Sequence, residues 1–119
     1  MTTTRTLWLT VTTKSKQPVE VAFPIYRRHD VGGDGYESVI YTRIAKDMSA
    51  VSVQVTRRYG SHEVEYELTV TPRYVFDDST QDYHLGRGEY ESSEAEFYRA
   101  VDDLRAVVVS LPPREAETT

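Results

Sequence analysis

SSEAEFYRAVDDLRAVVVSL, residues 92–111, is the stretch whose reading decides the fold. Within it Phe97, Val101, Leu104, Val108 and Leu111 recur at steps of four, three, four and three, the spacing of one face of an α-helix. Ser93 stands three residues before Glu96. That is capping-box spacing, in which the hydroxyl takes the N3 amide and the Glu reaches back to the cap amide. Glu94 and Glu96 also suit the positive end of the helix. Pro112-Pro113 cannot continue it, so residues 112–119 are expected to fray.

Upstream the apolar period falls to two. Leu7, Leu9 and Val11 alternate with Thr6, Trp8, Thr10 and Thr12. After a polar turn, Val19, Val21, Phe23 and Ile25 alternate with Glu20, Ala22, Pro24 and Tyr26. The two segments predict a hairpin. Pro24 lacks an amide hydrogen, so the second strand is an edge there or bends. Residues 27–35, with three glycines, predict a long loop. Residues 37–45 are apolar on both sides (Val39 and Tyr41 against Ile40 and Ile44), as a strand covered on both faces would be. Val51, Val53 and Val55 make a fourth strand, and Gly60-Ser61 suits a hairpin turn with glycine first. In the fifth strand Val64, Tyr66, Leu68 and Val70 are expected to face inward and Glu63, Glu65, Glu67 and Thr69 to face water. Arg73 to Phe76 reads as a sixth short strand or a continuation past Pro72, and a short strand is expected around Tyr83 to Leu85.

Several strands followed by one helix predict an α+β fold: a curved antiparallel sheet of five to six strands packed by one C-terminal helix at about 92–111. A helix of about 18 residues is roughly 27 Å long and about 10 Å wide. It covers two or three strands at about 4.8 Å spacing, fewer than the strands that carry an apolar face. The sheet must then curl around the helix, fold into two layers, or pair with a second copy. Polar outer faces on the first, fourth and fifth strands favour curling.

A chain of 119 residues, 39% hydrophobic and 28% charged, reads as one globular domain, residues 1–119. It has no cysteine, which rules out disulfides and thiolate chemistry and suits a reducing cytoplasm. Its apolar runs are too short for a bilayer-spanning helix, so no membrane partner is expected. The net charge of −5 is uneven. Residues 1–62 hold nine Lys/Arg against five Asp/Glu, and residues 63–119 five Arg against fourteen Asp/Glu.

No cofactor or metal motif is present. Asp77, Asp78, Asp82 and His84 lack the spacing of a calcium loop and the second histidine or cysteine that zinc prefers. Gly32-Gly33-Asp34-Gly35 lacks the Lys-Ser/Thr of a phosphate-binding loop. No elbow or zinc-helix motif accompanies His29, His62 or His84, so no catalytic residue is assigned. The leading expectation is a small non-catalytic binding protein that acts through protein–protein contact. A sharper form of it is an inhibitor or accessory protein of phage or mobile-element type with an acidic working surface. Trp8, Tyr36, Asp77, Asp78, Asp82 and Tyr83 are the candidate contact residues, because aromatics bury much area with few rotors. One alternative is a single-stranded nucleic-acid or small-ligand module using Arg27, Arg28, Arg57, Arg58 and the 27–36 loop. Another is a small hydrolase or isomerase with a pocket between helix and sheet. The sequence leaves a homodimer open.

Overall fold

The computed structural model describes residues 3–12, 15–76 and 81–109, with side chains described for 3–7, 20–76 and 82–109. Six strands and three helical segments follow in order: β1 (Thr3–Thr12), β2 (Ser15–Phe23), β3 (Ile25–Asp30), β4 (Tyr36–Ile44), β5 (Ala50–Arg58), β6 (Val64–Thr71), α1 (Gln81–Leu85), a 3-10 turn (Gly88–Tyr90) and α2 (Glu94–Val109). The fold is α+β as expected, its antiparallel strands divided between a β1-β2 pair and an open sheet in the order β3-β4-β5-β6.

The division falls at Pro24, where the expected second strand bends. β2 pairs with β1 as far as Thr3↔Phe23, and β3 starts one residue after the proline, pairing with β4 from Ile25↔Ile44. The alternation Val21, Phe23, Ile25 runs through the bend. All three residues are buried, and they join Leu7, Ile44, Ala50 and Leu85 in one core cluster. Phe23 and Ile44 have no exposed surface. Met48, Tyr74 and Phe76 pack against the cluster from outside it.

Partners directly opposite in an antiparallel pair share a face, so the registers sort the four-stranded sheet into two sides. One carries Tyr26 and Arg28, Val39 and Tyr41, Val51, Val53 and Val55, and Tyr66, Leu68 and Val70. The other carries Ile25, Arg27 and His29, then Ser38, Thr42 and Ile44, then Ala50, Ser52, Gln54 and Thr56, then Glu65 and Glu67. Helix α2 lies on the first side. Its Phe97 is buried beside Tyr26 at 5.9 Å between ring centroids, and Ala100 is buried too. The second side holds the core cluster at one end. Further along it carries cross-strand hydroxyl pairs, Ser38–Thr56 and Thr42–Ser52, each at 2.8 Å. Those pairs satisfy the fully buried Ser38 and the almost fully buried Thr42.

Several local expectations are corrected. Residues 27–35 are not a long loop: β3 runs to Asp30, and Gly33 and Tyr36 bridge across a tight turn at Asp34-Gly35. Gly35 has φ 82°, a left-handed conformation that glycine adopts without strain. In the β5–β6 connection Gly60 is not first. Ser61 N–H donates to Arg58 O at 3.1 Å, which makes Gly60, φ 81°, the third residue of a four-residue turn. Arg73 to Phe76 is neither strand nor continuation, and Tyr83 to Leu85 belongs to a helix rather than a strand. Leu68 and Val70 are not inside. They are 54% and 63% exposed, because α2 crosses β4 and β5 and stops short of covering β6.

α2 begins at Glu94, two residues inside the expected start, and Val109 is its last described residue. Ser93 caps it, its Oγ accepting from Glu96 N–H at 3.1 Å. The capping box is only half made. The Glu96 carboxylate accepts from Ser92 Oγ at 3.1 Å and from Arg28 Nη1 at 3.4 Å instead of reaching back to the cap amide. The expected stop at Pro112-Pro113 and the tail lie outside the described residues.

Candidate functional site

Three places could carry function, and each is built by a different element of the sheet. The first is a polar–aromatic cluster on β3. The alternation Phe23, Ile25 points the next residue of that row, Arg27, into the interior, where it is 5% exposed. Its guanidinium lies 4.0 Å from the Tyr83 ring centroid and 5.2 Å from that of Tyr74. Arg27 Nη1 also donates to the Tyr74 hydroxyl. The same hydroxyl is hydrogen-bonded to His84 Nδ1 at 2.6 Å. His84 is 4% exposed. His29, next in the same row, packs edge-on against Tyr83 at 5.0 Å and Tyr90 at 5.6 Å. The cluster fastens Tyr74, Tyr83 and Tyr90 to β3, and an isolated bridge, Arg27↔Glu91, stands at the outer edge of that strand. A histidine, a tyrosine and an arginine in contact are chemically capable groups; Arg27 and His84 are buried and Tyr74 is half-buried.

The second place is a cleft of about 210 Å³ between α2 and the sheet. Val39, Tyr41 and Val55 form its floor, and Arg57, Arg99 and Asp103 stand around its mouth. This is the helix–sheet pocket anticipated for an enzyme or small-ligand module. Ligand pockets commonly run to about 300–1,000 Å³, so it has room for little more than a fragment.

The third place is the stretch of the α2 side that the helix leaves bare. Leu68 and Val70 of β6 are open to solvent, as are Val107, Val108 and Val109 at the end of α2. Glu65 and Glu67 stand on the reverse of β6, and Asp102 and Asp103 on α2, all exposed.

Of the expected contact residues the structure describes the side chains of Tyr36, Asp82 and Tyr83. Tyr83 is half-buried beneath Arg27, and Asp82 is exposed in the first turn of α1. Tyr36 is half-buried and lies over Gly33 at the β3–β4 turn. The side chain of Trp8, and Asp77 and Asp78 altogether, lie outside what is described. The basic set divides. Arg27 is interior, Arg28 pairs with Glu96 at 3.4 Å, and Arg58 pairs with Glu65 at 3.6 Å. Arg57 is exposed at the cleft. Among the described residues no three His, Cys, Asp or Glu side chains gather as metal ligands, and no helix is long and apolar enough to cross a membrane.

Sequence reasoning missed the Arg27 cluster, although a signal was present. Arg27 has the parity of Val21, Phe23 and Ile25, which marks it as inward-facing. It missed the bare patch because alternation reports a strand's apolar face and not whether another element covers it.

Fold and surface thus define a small α+β protein with a half-covered antiparallel sheet. Comparison with known proteins adds no relative: the chain matches no family model, no curated protein and no solved structure.

Proposed function

We propose that this chain is a non-catalytic binding protein that works through protein–protein contact, of the inhibitor or accessory kind carried by phages and mobile elements. One observation carries the reading: apolar residues that should be covered by packing, Leu68 and Val70, stand open on the side of the sheet that α2 only partly covers. An exposed apolar patch of this kind is a usual mark of an interaction surface. The acidic stretch of the second half adds Asp82, Glu89, Glu94, Asp102 and Asp103, all exposed, and such a surface suits a basic partner. The burial of Arg27 and His84 favours contact over chemistry.

The test is capture of partners from a native lysate on the immobilised chain, run beside a Leu68→Ser/Val70→Ser variant. Both positions are exposed on an edge strand, so circular dichroism should show the variant folded. Capture is expected to be lost. Undiminished capture by the folded variant would remove this face from the proposal, and capture insensitive to Asp82→Lys and Asp102→Lys would remove the acidic part.

A further inference from the structure

The bare face ends at a bare edge. β6 hydrogen-bonds to β5 without a register break from Arg57↔Val64 to Ala50↔Thr71, and among the described residues nothing pairs with its other side. The opposite edge of the sheet, β3, is bridged by Glu91. An unpaired strand presents a row of N–H and C=O groups that template another strand. Most devices that blunt such an edge are missing among the described residues: Val64–Thr71 has no proline, lysine, glycine or register break, and Glu65 and Glu67 are its only charges.

We propose that a second copy of this chain completes the edge. β6 of each copy pairs antiparallel with its counterpart about a two-fold axis at Leu68, joining two four-stranded sheets into one of eight. This rests on the reading of the bare side of β6 as a contact region and names the chain that meets its edge.

The sequence of β6 selects both the partner and the register. A two-fold axis normal to the sheet pairs residues of equal parity, so apolar residues meet apolar ones in every allowed register. The carboxylates tell the registers apart. Centred on Tyr66, the pairing sets Glu65 opposite Glu67 of the other copy, twice. Centred on Glu67, it sets that residue against itself. Centred on Leu68, every carboxylate meets a threonine, Glu67 opposite Thr69 and Glu65 opposite Thr71, while Leu68 meets Leu68 and Tyr66 meets Val70. Moving the axis to Thr69 shortens the paired stretch. Leu68 therefore gives the longest pairing without like charges opposed. It also merges Tyr66, Leu68 and Val70 of both copies into one apolar strip on the side where both α2 helices stand.

Sedimentation equilibrium over a concentration series tests this. The wild-type chain is expected to reach twice its 13.6 kDa mass. Thr69 is exposed on the side away from α2, so charge there leaves the fold intact. Thr69→Glu sets a carboxylate opposite Glu67 at two symmetry-related places and should weaken the dimer about tenfold, while Thr69→Lys should tighten it. Because the chain has no cysteine, Leu68→Cys alone should cross-link copies on mild oxidation, and Thr71→Cys should not. A wild-type monomer at the highest soluble concentration would overturn self-pairing. A dimer indifferent to charge at residue 69 would overturn the register. Either result with partner capture still lost in the Leu68→Ser/Val70→Ser variant would leave the contact reading standing. Retained capture together with a monomer would remove both.

Discussion

Phe23 and Leu68 are large apolar residues on strands of the same alternating kind, and the molecule treats them oppositely. Phe23 has no exposed surface; Leu68 is 54% exposed. The difference lies in what stands above each. Around Phe23 converge the base of the β1-β2 hairpin, the neighbouring ends of β3, β4 and β5, and Leu85 of α1. Above Leu68 there is only the margin of one helix. A helix of 16 residues, about 24 Å long and about 10 Å wide, cannot shield four strands about 4.8 Å apart. Period-two alternation therefore says that a strand owns an apolar face, whereas coverage depends on how many elements the chain has to lay over it.

The contrast can be broken most forcefully at Phe23. Phe23→Ala removes a buried ring and leaves a cavity, a loss expected at about 3–5 kcal/mol. Leu68→Ala should stay within about 1 kcal/mol, since most of its surface is already wet. Urea midpoints at equal slope compare the two. Near-equal losses would mean that β6 is covered in solution, as it would be in a stable dimer at the protein concentration used.

A smaller effect sharpens the description of the closed region. Tyr74→Phe keeps the ring but strips the oxygen that receives Arg27 and meets His84. A charged donor left buried without that partner should cost about 2 kcal/mol. Hydrogen exchange should speed up first between Tyr74 and Glu91, with α2 little affected. Uniform acceleration across the chain would show that the cluster belongs to the global core rather than to a local fastening.

The smallest effect is at the β4–β5 turn, exposed yet ordered. Asp47 Oδ1 accepts from Ser49 N–H at 2.9 Å and Ser49 Oγ–H at 2.6 Å, which holds the carboxyl below its ordinary value of 3.8. A carboxylate with a lowered folded-state value contributes stability that is complete above the ordinary value and is lost as pH falls through the lowered one. The stability gap between the wild type and Asp47→Ala should therefore close on acidification below pH 3.8 and stay constant above it. A gap that widens in acid would refute the assignment.

Much of the fold was legible in the chain, and the reasons are local. Four apolar positions between Phe97 and Val108 gave the position and type of α2, and alternation located five of the six strands; β3 was divided between the end of the second strand and an expected loop. α1 was not legible because five residues are too few to display a helical period. The β3–β4 turn was misread as a long loop although Asp34-Gly35 is a strong hairpin signal. Of the candidate contact residues, Tyr83 is half-buried under Arg27. Arg27 itself was counted among surface cations, and alternation alone should have turned it inward. The apolar residues of β6 were assigned to the interior because their pattern is the cleanest in the chain.

Side-chain order, with period 3.6 near the end and period 2 before it, determined by itself that this protein is α+β and which residues share a face, since periodicity is a property of the covalent chain. Tertiary structure alone decided which faces are covered. It sends the chain into a second sheet at Pro24, fastens Tyr74, Tyr83 and Tyr90 to β3 and lays α2 across β4 and β5. Coverage depends on the reach of one element over others distant in sequence, and no local pattern encodes that reach.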